Sequence, residues 1–317
     1  MLRYGKTVLL VSVVLGVIVS LFSIGMSAFL VDAPVSLINL AGFIAYLIVG
    51  TAIFRVSPMW PEELNWKWYL TCLLWGGCAS VGVVSVIGSP ISTVLKRLNL
   101  MFFEAALGGA YPEEISKLLG VALILIVSQR FSRPWHGFVV GGMVGLGFEA
   151  FENIVYGSFG AMIDPNSDVD GALSVWGYRT VAGPGLHVCL TAISGLAIGY
   201  AIYLADIPMR KRLAYMFGGL GASFLLHFAW NTIISAGNLQ IAWWVGVAIA
   251  LYSTFLACWV HCVRQIKTEG SGPITVPHLP LTSLEEHAPD APPATQVMPG
   301  VQPPEGFSTQ EPPAPHP

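Results

Sequence analysis

Apolar runs long enough to cross a bilayer fill most of the first 265 residues, and this constrains the fold more than any other feature of the chain. A run of ~18 or more apolar residues reads as a membrane span. About eight such runs fall near residues 7–30, 36–54, 68–88, 100–128, 136–160, 184–205, 213–236 and 241–262. Hydrocarbon offers no partner for backbone amides, so each run must satisfy its own as a helix. The expected fold is therefore all-α, a polytopic transmembrane helix bundle of about eight spans. Charged residues make up only 10% of the chain, against roughly 25% in a soluble domain. No basic patch points to nucleic acid. The first apolar run is longer than the ~7–15 residues of a secretory signal, so it is expected to be a retained span.

Lysine and arginine set the expected orientation, because cytoplasmic loops collect them. With the N-terminus inside, eleven fall in cytoplasmic segments: Arg3, Lys6, Arg55, Lys67, Arg130, Arg133, Arg210, Lys211, Arg212, Arg264 and Lys267. Only Lys96, Arg97 and Arg179 fall on the other side, where Asp32, Asp164, Asp168 and Asp170 gather. Both termini are thus expected in the cytoplasm, with the chain integral to the cytoplasmic membrane. From residue 268 the character changes, and thirteen of the last 50 residues are proline. Such a segment is expected to be a disordered cytoplasmic tail, extended where proline clusters. Pro292-Pro293, Pro303-Pro304 and Pro312-Pro313 would suit a cytoplasmic partner of SH3 or WW type, although an inert solvated tail is the stronger reading. The expected organisation is N-terminal spans over 1–98, a core over 99–236, a last span over 237–267 and the tail over 268–317. Five cysteines lie in or beside apolar runs without metal-knuckle spacing and read as small buried hydrophobes.

Ionisable groups at bilayer depth are costly, so they mark function by default. Tyr111-Pro112-Glu113-Glu114 is a helix start, with proline and acids in the first turn. Glu113 and Lys117 are four residues apart and share a face. Only 17 residues separate Glu113 from Arg130, ~25 Å of helix against a ~30 Å hydrocarbon core. The helix start is therefore expected below the outer interface, with residues 99–111 leading into it. On the next span Glu149, Glu152, Asn153 and Tyr156 form one stripe at helical spacing. Glu149 lies ~20 Å from the cytoplasmic end. Gly137, Gly141 and Gly145 form a ridge on the same helix that admits a close neighbour. His187 follows the corner Gly183-Pro184-Gly185, and Thr191 is one turn below it. His227 and Asn231 share a face of the seventh span, ~21 Å in from Arg210-Lys211-Arg212. Four helices entering from alternate sides thus bring polar groups to one depth in the outer half of the bilayer.

A water-activating glutamate beside a second carboxylate, two imidazoles and an amide suits amide hydrolysis. Neighbouring acids repel in a low dielectric, which fits one of them for general acid–base work. Either histidine would polarise a carbonyl, and Asn231 would donate to an oxyanion. Alternatively His187, His227 and a carboxylate, Glu149 or Glu152, would hold one Zn²⁺, with Glu113 or Glu114 left as base. Metal use stays open, because the His-Glu-x-x-His signature is absent. No serine or cysteine nucleophile motif is present either.

Taken in order, Pro112-Glu113-Glu114-Ile115-Ser116-Lys117, the stretch from Gly145 to Tyr156, His187 with Thr191, and His227-Phe228-Ala229-Trp230-Asn231 resemble the PrsW family of intramembrane proteases, distant relatives of CAAX prenyl proteases and bacteriocin-immunity membrane proteins. The resemblance covers about residues 100–235. It implies a hydrolase with its site near the extracytoplasmic face, cutting a single-span membrane protein of the anti-sigma-factor kind. It implies water activation at Glu113 and Glu114, site carboxylates at Glu149 and Glu152, and ligand or oxyanion duty for His187, His227 and Asn231. The catalytic set expected is thus Glu113, Glu114, Lys117, Glu149, Glu152, Asn153, His187, His227 and Asn231, with His187, His227 and Glu152 as the metal ligands. Lys117 stands one residue earlier than the arginine of the prenyl-protease pattern, and Glu152 stands where that branch tends to carry histidine, which speaks against prenyl-protein processing. The competing readings are a non-enzymatic membrane scaffold or ligand-binding protein and, behind it, an ion-coupled transporter.

Overall fold

A computed structural model of the chain describes residues 2–62, 65–128, 131–204, 207–234 and 237–269. The proline-rich segment beyond them lies outside the described residues. The elements are helices α1 (Leu2–Leu30), α2 (Ala33–Arg55), α3 (Lys67–Leu74), α4 (Val81–Arg97), α5 (Tyr111–Ser128), α6 (Pro134–Ile163), α7 (Asp168–Ala182), α8 (Leu186–Tyr203), α9 (Met209–Asn231) and α10 (Asn238–Glu269). A wide π-helical turn, Trp75–Ser80, joins α3 to α4 without a break.

Seven of the described helices are long and apolar enough to cross a membrane, counting Lys67–Arg97 as one. The expected fourth run, 100–128, is the exception. It divides into a 3₁₀ turn at Met101–Phe103, a π-helical turn at Ala106–Ala110 and α5, which carries Glu113, Glu114 and Lys117 in its first two turns. Those charges lower its apolar character, and the 18 residues of α5 reach ~27 Å at helical rise. Helix α7 was not anticipated. Ser167 caps it by accepting from the Asp170 N–H at 3.0 Å, and its polar sequence hides it from a hydropathy scan.

The loops alternate between two ends of the bundle. At the basic end, Gly5 of α1 sits against Val127 of α5. There too the Tyr203 hydroxyl donates to the Leu125 carbonyl at 3.1 Å, and Arg212 donates to the Ala201 carbonyl at 2.7 Å. At the opposite end Asn39 of α2 donates to the Ser158 hydroxyl at 2.9 Å and accepts from the Trp176 indole at 2.8 Å. These bonds tie α2, α6 and α7 together where water would otherwise have to satisfy them.

Helices α6 and α8 form the buried centre, and α1, α2, α9 and α10 present long apolar faces outward. The centre closes on glycine. A methyl group added at Gly137, Gly141 or Gly145 would lie 2.1, 2.2 and 2.2 Å from the carbonyl oxygens of Gly195, Thr191 and His187. The ridge read from the sequence is therefore the contact that brings α6 backbone-close to α8. Membrane helices gain stability from such close packing because lipid supplies no hydrophobic drive between them. Gly145→Val should push α8 away at the level of His187. It is expected to cost more than the ~1–3 kcal/mol typical of overpacking, read as a lower unfolding temperature of the protein in detergent; an unchanged midpoint would mean that α8 can shift freely.

Candidate active site

Four of the ten described helices meet at a charged cluster buried near the end opposite the basic loops. Glu113, Glu114 and Lys117 come from the start of α5, Glu149, Glu152 and Asn153 from α6, His187 from the first turn of α8, and His227 from late in α9. Helices entering from opposite directions can share this depth because α5 and α8 begin where α6 and α9 are ending. All of these residues except Glu152 are buried, and Lys117 has no exposed surface at all.

The Lys117 ammonium is the hub. It donates to Glu114 Oε1 at 2.6 Å and to His187 Nδ1 at 2.9 Å, lies 3.8 Å from Glu113 Oε2, and faces the Phe148 ring at 4.5 Å. An ammonium can only donate, so His187 Nδ1 is the bare nitrogen of its ring and Nε2 carries the proton. That proton goes to Glu152 Oε2 at 3.0 Å. Glu152 is gripped in turn by Arg179 of α7, which also donates to Asn153 Oδ1 and lies 4.3 Å over the Tyr156 ring. Across the cluster His227 Nδ1 bonds to Glu114 Oε1 at 2.9 Å, leaving its Nε2 facing Glu113 Oε2 at 3.8 Å.

Glu113 Oε2 thus stands 3.8 Å from each of Lys117 Nζ, His187 Nδ1 and His227 Nε2. Together with Glu114 Oε2 it is buried without a hydrogen-bond partner. Buried carboxylate oxygens are rarely left so. Donor atoms of Glu113, Glu114, His187 and His227 all lie within 4.8 Å of one another. Two imidazoles and two carboxylates, with unpaired oxygens turned inward, fit a zinc-type ion. Glu152, expected as a ligand, lies outside this group, on the far nitrogen of His187.

Glu149 has a different setting from the other acids. Its Oε1 accepts from Gly185 N–H at 3.0 Å, and its Oε2 accepts from His187 N–H at 3.0 Å and Val188 N–H at 3.4 Å. Gly185 adopts a left-handed conformation, φ 68°, which glycine enters without strain. The chain therefore turns into α8 with its first amides aimed at one carboxylate, the arrangement a helix N-terminus favours. Asn231 stands at the rim. Its amide donates to the Ala105 carbonyl at 3.2 Å, and a methyl group added at Gly109 would lie 3.7 Å from its Nδ2 and 3.3 Å from Glu113 Oε1. Thr191 Oγ1 is buried without a partner one turn beneath His187.

Arg179 escaped the sequence reading, which counted it only as an outside charge. Its signal was its rarity as one of three basic residues on an acidic side. The setting of Glu149 yields a test. Glu149→Ala strands buried N–H groups, and each such loss costs about 1–3 kcal/mol, so its thermal midpoint in detergent should fall, and by more than that of Glu113→Gln, which leaves Lys117 its closer partners Glu114 and His187. The opposite order would return Glu149 to the reacting groups.

Comparison with known proteins agrees with this geometry. Two curated relatives, both named Protease PrsW, are similar to the chain. The protein of Geobacillus kaustophilus (strain HTA426) is 27% identical over 165 residues, which is 52% of this chain and 63% of that protein. The protein of Bacillus subtilis (strain 168) is 25% identical over 169 residues, which is 50% of this chain and 71% of that protein. The match thus spans less than two thirds of the Geobacillus relative. No solved structure matches. The model of the PrsW family intramembrane metalloproteases covers residues 64–259, taking in α3, α4 and much of α10, beyond the stretch 100–235 that carries the motifs. With more than half of its length under that model, the chain belongs to the PrsW family of intramembrane metalloproteases.

Proposed function

We propose that the chain is an intramembrane protease that hydrolyses a peptide bond of a membrane-protein substrate. The observation that carries this reading is the convergence of Glu113, Glu114, His187 and His227, from three helices, in one buried cluster, within a chain of this family. The site lies at the end of the bundle away from the lysine- and arginine-rich loops. By the positive-inside rule that end is extracytoplasmic and both termini are cytoplasmic. The substrate is then a single-span membrane protein, such as an anti-sigma factor, with its scissile bond near the outer face.

The roles follow from which atoms are free. Glu114 is committed, sharing Oε1 between Lys117 and His227, so it orients both. Glu113 has its inward oxygen unpaired among three nitrogens, which suits it to take a proton from an attacking water. Lys117 and the Arg179-held Glu152 lock the ring of His187 from its two sides, the way outer partners orient a ligating or polarising imidazole. Asn231, on the rim beside Glu113, has a second amide hydrogen to offer a developing oxyanion. A bound metal held by Glu113, Glu114, His187 and His227 would supply Lewis acidity and a more acidic water. The convergence favours this enzyme over a scaffold or transporter, because neither of those needs a buried carboxylate oxygen left without a hydrogen bond beside two imidazoles.

New protein N-termini compared between membranes containing wild type and Glu113→Gln or Glu114→Gln, at equal abundance, test this directly. Fragments should appear with wild type and fall about 100-fold or more with either variant, the scale of lost general acid–base catalysis. Identical fragments in all three would remove the assignment. Metal analysis of the purified protein provides a separate check. Close to one equivalent of a zinc-type ion is expected in wild type and its loss in His227→Ala; metal-free protein that still cuts would assign the chemistry to the glutamates alone.

A further inference from the structure

A second site lies at the opposite end of the bundle, about a membrane's depth from the charged cluster. Between the starts of α1 and α3 and the end of α5 there is a cleft of about 700 Å³. Lys6 and Lys67 line it together with Asn65, Thr71 and Ser128, and its inner wall is Leu9, Trp68, Ile124 and Val127. Trp68 and Ile124 are buried, whereas both lysines are exposed. Among the described residues no carboxylate lines the cleft and neither ammonium forms an ion pair. This contrasts with Arg55 nearby, which is paired with Glu62.

We infer that this cleft binds one anionic phospholipid, the phosphate seated between Lys6 and Lys67 and an acyl chain laid along Leu9, Ile124 and Val127. Charge complementarity selects the headgroup, since two cations that form no ion pair among the described residues favour an anion over a zwitterion. The apolar inner wall selects a lipid over a free phosphate, because a soluble anion would leave that wall bare. The position agrees, since basic pockets between membrane helices on the lysine- and arginine-rich side recognise acidic headgroups. Volume agrees too, since about 700 Å³ is within the range of small-ligand sites. Asn65, Thr71 and Ser128 add hydrogen-bonding groups around the phosphate. The Thr71 hydroxyl donates to the Lys67 carbonyl at 2.8 Å, and so presents its lone pairs to a lipid glycerol or headgroup hydroxyl.

The site is independent of the proteolytic reading. None of its residues touches the Glu113–His227 cluster, and lipid binding can be read without any substrate. The full-length protein, delipidated in detergent, would be titrated with phosphatidylglycerol and with phosphatidylcholine of the same acyl chains, and bound lipid counted by native mass spectrometry. Phosphatidylglycerol should bind roughly tenfold or more tightly, the scale expected for two interfacial lysines. Lys6→Gln with Lys67→Gln should erase that preference, and Lys6→Arg with Lys67→Arg should keep it. Lys96→Gln with Arg97→Gln, at the other end, should change nothing. Equal binding of the two lipids, or a preference that survives in the double glutamine variant, overturns the proposal. So does displacement of the lipid by millimolar inorganic phosphate, which would assign the cleft to a soluble anion. Should the glutamine pair fail to fold, quenching by brominated phosphatidylglycerol decides it: the quenched share of the emission from the ten tryptophans must fall in a Trp68→Phe variant, and an equal share in both rejects the cleft.

Discussion

The ammonium of Lys117, with no exposed surface, is a full charge taken out of water, and the surrounding helices are arranged to answer it. Moving such a group into an apolar interior costs several kilocalories even after relaxation, and removing one partner of a buried ion pair typically costs about 3–5 kcal/mol. Glu114 and His187 answer it directly, Glu113 from slightly further away, and the Phe148 ring covers its remaining face. Because those partners sit on α5, α6 and α8, satisfying one cation also fixes the relative position of three helices. His227 joins through Glu114, which brings in α9.

That cluster could not form without the close approach of α6 and α8. Backbone contact at Gly137, Gly141 and Gly145 carries the start of α8 against the level of α6 that holds Glu149. One carboxylate can then gather the first amides of α8 and present the His187 ring inward. Packing and polar satisfaction serve each other here. The glycines bring the helices together, and the charges define the register in which they meet.

The two ends of the molecule divide the chemistry. At one end buried acids and imidazoles face each other with inward oxygens unpaired, the state of a site that awaits water, substrate or an ion. At the other end two lysines with no ion-pair partner among the described residues border a cleft with an apolar inner wall, suited to an amphipathic anion. A single helix, α5, joins them. Its first turns supply Glu113, Glu114 and Lys117, and its last turns supply Ile124, Val127 and Ser128.

Much of this was legible along the chain. Hydrocarbon-length runs allow only helices, because no other arrangement of these segments satisfies every amide; helical rise put Glu113, Glu149 and His227 at one depth, and the corner Gly183-Pro184-Gly185 put His187 beside them. The three-residue and four-residue spacings also showed which groups share a face. Pattern could not tell apart acids of equal depth. Glu149 and Glu152 are one turn apart on α6, yet one caps α8 and the other accepts a hydrogen bond from His187, because their neighbours come from distant parts of the chain. Arg179 reaches the site through α7, a polar helix that a hydropathy reading passes over. Composition and period determined the helices, their depth and the residue types in the site. Only the tertiary structure decided which nitrogen meets which oxygen, since that depends on crossing helices whose contacts no local spacing encodes.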